Sequence, residues 1–397
     1  MVNAMDGNNG RNMLCSGEYF RLENDIDMSS YRYTPIAKSY DYVFDGIFDG
    51  NGHTISGLTI NNESTYGGLI GRAGEHCLIT NLTIKDADIT AAAFAGCVVA
   101  WTTGDISNVN VISSTITDSY QGVGAIANIV GNITNCHADL CNITGTSGFV
   151  GGLVGQLNGT MANCSATNMR IQAGSSKNGA SPVGGLIGLA NYQSVTTDSY
   201  FSGTIDASYT YSPCITGGVA GLISGATVER CFAVGTIRGY SADAFTGGIA
   251  GQATSGTVID CYVNGRVDGS SSRRTGGLIG FVNNGTLEGN VLPGTIRNCY
   301  SSATVTAETY LYNPETERRE LFGLTADGAQ YTIENVYFNK QLVNFGSTHY
   351  GLMTSDFISA TGLAGFSADK WVFTEGQYPR IKGLDQSQAA LYSASAL

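Results

Sequence analysis

The chain is poor in the residues that most often contact polyanions or carry out hydrolysis. Lys and Arg number 20 against 32 Asp and Glu, a net charge of −12 in 397 residues. So acidic a chain excludes nucleic acid and anionic membrane as expected partners. Only four histidines occur, His53, His76, His137 and His349, and they are scattered. None has the H-E-x-x-H neighbour that a zinc peptidase needs. The G-x-S-x-G elbow of many serine hydrolases is missing too. No apolar run approaches the roughly 20 residues of a membrane-spanning helix. Met1 to Asp6 contain no basic region or apolar centre, so no signal peptide is visible. Proline is scarce, with six residues, whereas glycine supplies 54. With frequent Ile, Val, Thr and Asn, this is the composition of a turn-rich β protein.

What is present is repetition. Gly67-Gly68-Leu69-Ile70-Gly71 returns as GGLVG at Gly151, GGLIG at Gly184, GGVAG at Gly217, GGIAG at Gly247 and GGLIG at Gly276. Worn copies begin at Ala95, Val123 and Phe322. The steps run from 28 to 33 residues, with 46 before the last copy. A period in this range marks a repeat architecture.

Each repeat has two further apolar columns. The first contains Ile79-x-Asn81-Leu82, Ile106-x-Asn108-Val109, Ile133-x-Asn135-Cys136 and Met161-x-Asn163-Cys164, continuing to Asn335-Val336. The second follows the Asn position by eight residues at Ile89, Ile116, Ile143 and Ile171. It follows by seven at Ile205, Ile237, Val267 and Val305. Segments of about four residues between Gly, Asn and Asp are too short for helices and lack their period. Like residues at fixed offsets instead predict an all-β right-handed parallel β-helix. About nine to ten three-strand coils are expected, with caps at both ends and Asn at a corner bonding the next coil's backbone. Paired glycines would permit positive φ or close backbone approach at the bend.

The organisation expected is a tail over 1–14, an N-terminal cap and first coil over 15–60, repeats over 61–339, a C-terminal cap over 340–384 and a tail over 385–397. The glycine blocks and the Asn-Cys column resemble the GLUG repeat family of bacterial surface proteins and some immunoglobulin-A-cleaving peptidases. Phe48-Asp49-Gly50-Asn51-Gly52-His53-Thr54-Ile55 and the closing Trp371 to Tyr378-Pro379 fit it as well. The resemblance implies a repeat region on the cell surface or outside the cell. It carries over no catalytic residues, and any peptidase domain would lie elsewhere.

Candidate chemistry is thin. Asp86, Asp88, Asp118 and Asp139 share no column, so they do not form the carboxylate pair of a glycosidase. Asp45 and Asp49 read as turn residues beside glycine. The Asp49-Gly50-Asn51-Gly52 run has Ile60 where a calcium loop needs Glu. Five of the ten cysteines, Cys136, Cys164, Cys231, Cys261 and Cys299, share the interior column and read as small apolar residues. The pairing of Cys15, Cys77, Cys141 and Cys214 is open. Tyr120, Tyr209, Tyr211, Tyr240, Tyr310 and Tyr312 precede glycine blocks in the variable segments. They are candidates for stacking on a sugar or anchoring a protein. Tyr200, Phe232, Tyr262, Tyr300 and Tyr337 instead read as corner packing.

The expectation is therefore a non-catalytic, monomeric, adhesin-like solenoid without cofactor or metal, whose partner is a glycan or host protein. A glycan-active β-helix enzyme, a pure spacer and a peptidase repeat region are the alternatives.

Overall fold

The computed structural model describes residues 3–5, 12–61, 65–118, 120–174, 181–208, 214–241, 244–269, 274–287, 290–307, 324–325, 331–343 and 351–384. They form a parallel β-solenoid in which every strand of a coil pairs with its counterpart one coil away. Ile70 lies beside Val99, Val99 beside Ala127, and the series runs through Val154, Ile187, Ala220 and Ala250 to Ile279. The third expected column is continuous from Ile60 through Ile89, Ile116, Ile143, Ile171, Ile205, Ile237 and Val267 to Val305. All nine side chains are buried. Each such side chain stabilises by roughly 1.5–3 kcal/mol relative to exposure, and no single coil could bury its own.

The glycine block holds a bend and feeds two sheets. Residues before it build an eight-strand sheet, residues after it a twelve-strand sheet, and a third sheet wraps the two remaining columns. Its glycines are absent from the positive-φ residues, so close approach is their reason. A Cβ on Gly188 would sit 2.6 Å from the Gly155 carbonyl oxygen, and one on Gly71 2.7 Å from that of Ala37. Real Cβ atoms do not approach so near.

Strand pairing places the worn copies across a one-residue offset. In the eight-strand sheet Ala95 pairs with Gly67, as expected, and with Val123. Val123 in turn pairs with Val150, the residue before Gly151, so in that sheet the offset enters between these copies and the later blocks. The block expected at Phe322 is out of frame, because Leu324 pairs with Phe281 rather than with Leu278. Eight complete coils result among the described residues, one or two fewer than expected. Below them, Ile47–Asp49 and Thr54–Ser56 stack on Tyr19–Arg21 and Ile26–Asp27 without a strand in the eight-strand sheet.

The Asn column is a backbone device. Asn81, Asn108, Asn135, Asn163, Asp198, Arg230, Asp260, Asn298 and Asn335 all have φ between 50° and 54°. Asn and Asp tolerate this left-handed corner better than most residues. Their side chains bond one another instead of the neighbouring backbone. Asn108 Nδ2 donates to Asn81 Oδ1 at 3.2 Å, Asn135 to Asn108 at 3.3 Å and Asn335 to Asn298 at 3.0 Å.

The residue after each corner explains the cysteines. The thiols of Cys136, Cys164, Cys231, Cys261 and Cys299 reach the carbonyl two residues earlier at 3.1–3.2 Å. Ser199 occupies the same column and makes the same bond at 2.7 Å. All ten cysteines are buried and free, Cys15, Cys77, Cys141 and Cys214 included. Burial pushes the thiols of Cys97, Cys231 and Cys299 well above their ordinary value.

Residues 351–384 turn back along the side of the solenoid. Gly351–Leu352 extends the wrapping sheet, and Trp371–Val372 pairs antiparallel with Arg380–Ile381. Phe357, Leu363, Phe366, Trp371 and Ile381 pack on Phe232, Tyr262 and Tyr300, forming a second core outside the coils.

Candidate functional site

The bend in each glycine block brings the eight-strand and twelve-strand sheets together along an outward-facing crease, or groove. Along one wall, the residue just past each five-residue block, or its counterpart in the worn copies, points out: Arg72, Trp101, Ile129, Gln156, Leu189, Leu222, Gln252 and Phe281 stack in register. Along the other wall lie Tyr66, Phe94, Phe149, Ile215 and Phe245. Most of these are half-buried, and all face away from the main core. Missing Cβ atoms on the third glycines let the two sheets approach, so the side chains of the two walls converge.

Ring contacts define both ends. At one, the Arg72 guanidinium lies 4.5 Å from the Trp101 ring, 4.7 Å from Tyr40 and 5.5 Å from Tyr66. Arg72 is 3% exposed and donates from Nη1 to the Tyr40 carbonyl at 2.8 Å. Tyr66 stacks on Phe94 with centroids 5.0 Å apart. At the other end Arg274 lies 4.4 Å from Phe281 and 4.8 Å from Phe245. These contacts combine cation–π attraction with apolar area.

The tyrosines singled out in the sequence are not gathered by the described residues. Tyr120 is exposed in the turn between the second and third coils, and Tyr240 is half-buried at the end of the sixth. About four coils separate them, close to 19 Å at a strand spacing near 4.8 Å. Tyr209, Tyr211, Tyr310 and Tyr312 lie outside the described residues. The groove walls went unnoticed in the sequence, although an aromatic before the block at Tyr66, Phe94, Phe149 and Phe245 is a visible signal.

The corner aromatics form a ladder. Tyr200, Phe232, Tyr262 and Tyr300 stack at 4.7, 4.9 and 5.1 Å with planes within 7° of parallel. Tyr262 and Tyr300 are buried under the returning C-terminal segment, and the Tyr300 hydroxyl donates to the Pro379 carbonyl. Desolvation raises both phenols above their ordinary range.

Carboxylates do meet on neighbouring coils beside this ladder. Lys370 Nζ lies 2.5 Å from Asp260 and 3.0 Å from Glu229, while Arg230 Nε bonds Asp198 at 2.6 Å. Arg230 also donates to the Lys382 carbonyl at 2.9 Å. These acids dock the C-terminal segment instead of flanking an open cleft. Asp118 accepts the Tyr120 and Gly122 amides, Asp139 accepts from Thr167 and Asn168, and Asp86 holds a left-handed corner. Asp45 is buried and bonds Ser16 and His76. Asp49 accepts from Tyr19, Asn81 and the Asn51 amide, which lowers its carboxyl. Each of these contacts fixes a turn or joins two coils. Among the described residues no group of three or more His, Cys, Asp or Glu is placed to hold a metal ion. Among them, too, no helix is long and apolar enough to cross a membrane.

Stacked coils, a left-handed Asn corner and a glycine-lined bend define a β-solenoid repeat protein. The chain carries GLUG repeats: the pattern of the GLUG motif matches residues 148–172 and 271–306. It is 34% identical over 128 residues to halomucin of Haloquadratum walsbyi, covering 30% of this chain and 1% of that protein. It is 36% identical over 113 residues to a Gly-rich membrane protein of Evansella cellulosilytica, covering 26% of this chain and 13% of the relative. The chain thus spans a small part of the curated relatives it matches. An IgA1 protease structure aligns with 69% of this chain and 21% of its own at 18% identity and a TM-score of 0.47. A Bacteroides ovatus protein described as an immunoglobulin A1 protease aligns with 93% of this chain and 86% of its own, at 16% identity and a TM-score of 0.38.

Proposed function

We propose that this solenoid is a ligand-binding module of a surface or exported protein, and that it holds an extended ligand along the groove without catalysing its turnover. What supports this reading is the groove itself. Its half-buried Trp101, Phe94, Phe149 and Phe245 run along the solenoid axis, and apolar walls with a few polar groups are what ligand sites use. The two curated relatives, a halomucin and a Gly-rich membrane protein, favour the surface setting. Tyr120, Tyr209, Tyr211, Tyr240, Tyr310 and Tyr312 would form a second contact set in the variable segments. A glycan or a host protein is the partner class, and the module acts as a monomer.

The test is a glycan and protein array probed with wild type, Trp101→Ala, Phe149→Ala and Tyr120→Ala. Retention should fall about tenfold or more for the two groove variants, the usual cost of a buried aromatic contact, with a smaller change for Tyr120→Ala. Unchanged retention in folded groove variants would leave the spacer reading. Turnover of a captured glycan would favour the enzyme reading.

A further inference from the structure

The groove has a closed end, and its chemistry there differs from the rest. The eight-strand sheet starts at Tyr66. One coil below, the segment 29–41 adds no strand to that sheet and is tied to the twelve-strand sheet by the pairing of Ile36 with Ile70. This segment and the strand Thr59–Asn61 enclose a cleft of about 610 Å³, within the range of roughly 300–1,000 Å³ usual for ligand pockets.

Its lining combines three features. Tyr33, Tyr40 and Tyr66 present rings. Tyr33 is fixed by its hydroxyl donating to the Leu69 carbonyl at 2.9 Å, and the Tyr40 backbone is held by Arg72. Ser39 and Asn61 stand among the neutral hydrogen-bonding groups, and Arg32 and Lys38 are exposed at the walls. The described lining residues include these two cations and no acid, in a chain whose net charge is −12. Arg72 adds a third, buried positive charge directly behind Tyr40 and Tyr66.

We infer that this cleft takes the anionic terminal sugar of a saccharide whose next residues lie in the groove. A sugar ring offers hydroxyls at its edge and C–H groups on its face, which fits polar groups interleaved with tyrosine rings. A carboxylate or sulfate on that ring would meet Arg32 and Lys38 through charge-assisted hydrogen bonds. Neutral sugars would forgo that contact. A long polyanion would meet the acidic remainder of the chain, so the charge is required at the end only. The inference rests on the ligand-binding reading above and specifies its end group.

Isothermal titration calorimetry with lactose, sialyllactose and sulfated lactose tests it on the full chain, with wild type, Arg32→Ala, Lys38→Ala and the double variant. At least one acidic probe should bind about tenfold more tightly than lactose, and the double variant should lose that margin while lactose binding stays unchanged. Whichever acidic probe gains the margin identifies carboxylate or sulfate as the anion. Raising the salt concentration should narrow the margin, since Arg32 and Lys38 are exposed. Equal binding of all three probes, or a margin that survives in the double variant, would overturn the inference. The array result with Trp101→Ala judges the underlying reading separately. If that substitution abolishes capture of some neutral ligand while Arg32 and Lys38 prove irrelevant, the groove stands and the acidic end group falls.

Discussion

The first four coils and the next four share their interior and differ on one outer corner. In the first four a left-handed residue, Asp86, Ser113, Leu140 or Asn168, turns the chain between the two columns of the wrapping sheet, and in the first three it also interrupts the strand. From the fifth coil that residue is gone. Pairing slips between Ala166 and Met169, and the corner, already crossed by one strand at Ser165–Ala173, is crossed without the left-handed residue from Tyr200–Ser208 onward. Gly203, Gly235 and Gly265 make the bend with φ of 152°, 136° and 113°. A Cβ on Gly235 would also meet the backbone of Gly203. The outward column changes at the same coil, from Asn110, His137 and Ser165 to Tyr200, Phe232, Tyr262 and Tyr300. One interior can therefore carry two exteriors, and the second exterior recruits its own cover.

The largest effect that could break this comparison belongs to the shared interior. Ile237→Asp places an unpaired charge in a column with no exposure and should cost more than about 4 kcal/mol. Circular dichroism should show neighbouring coils unfolding. The corresponding change at Ile116, in the early half, should do the same, since the column does not differ between halves.

Tyr300→Ala comes next, and only the later half should feel it. Removing a fully buried aromatic typically costs about 3–5 kcal/mol. Urea denaturation should show the later coils and the C-terminal segment melting ahead of the early ones.

A smaller effect comes from Lys370. Its ammonium is held above the ordinary lysine range, chiefly by the hydrogen bond to Asp260 and then by Glu229. A raised folded-state value gives stability that is full below the ordinary lysine value and is lost as pH rises through the raised one. Because the lysine is substantially exposed, the contribution is about 1 kcal/mol. Lys370→Met should lower the denaturation midpoint of the C-terminal segment near pH 8, where lysine is charged, and the difference from wild type should vanish in strong alkali.

Smallest of all should be the joint change of Cys231, Cys261 and Cys299 to Val. Val109 and Val336 already occupy that column, and volume-conserving core swaps cost under about 1.5 kcal/mol each. A thermal transition insensitive to reductant in both proteins is expected. Failure of the triple variant to fold would mean that the thiol–carbonyl bonds matter more than the packing.

These contrasts also separate what could be read in the chain from what could not. The interior columns were legible because Ile89, Ile116 and Ile143 repeat one chemistry at one offset. Even the change of corner showed, as the offset falling from eight to seven at Ile205. The groove stayed hidden because its walls mix chemistries, Trp101 above Arg72 and Gln156 above Ile129. Those walls face one another only after the glycine bend folds them together. The C-terminal segment announced itself through Trp371 and Phe366, but its seat did not. Lys370 and Asp260 are 110 residues apart, and no local pattern links them. The left-handed Asn corner was half legible: the residue type was clear, while its φ and its side-chain ladder were not.

The later coils owe part of their order to the segment packed along them. Hydrogen–deuterium exchange of Trp371→Ala against wild type measures this most directly. The amides of 200–208, 232–240 and 262–269 should lose protection, while those of 78–91, 105–118 and 165–173 keep theirs. Equal loss in both halves, or no loss in either, would contradict it.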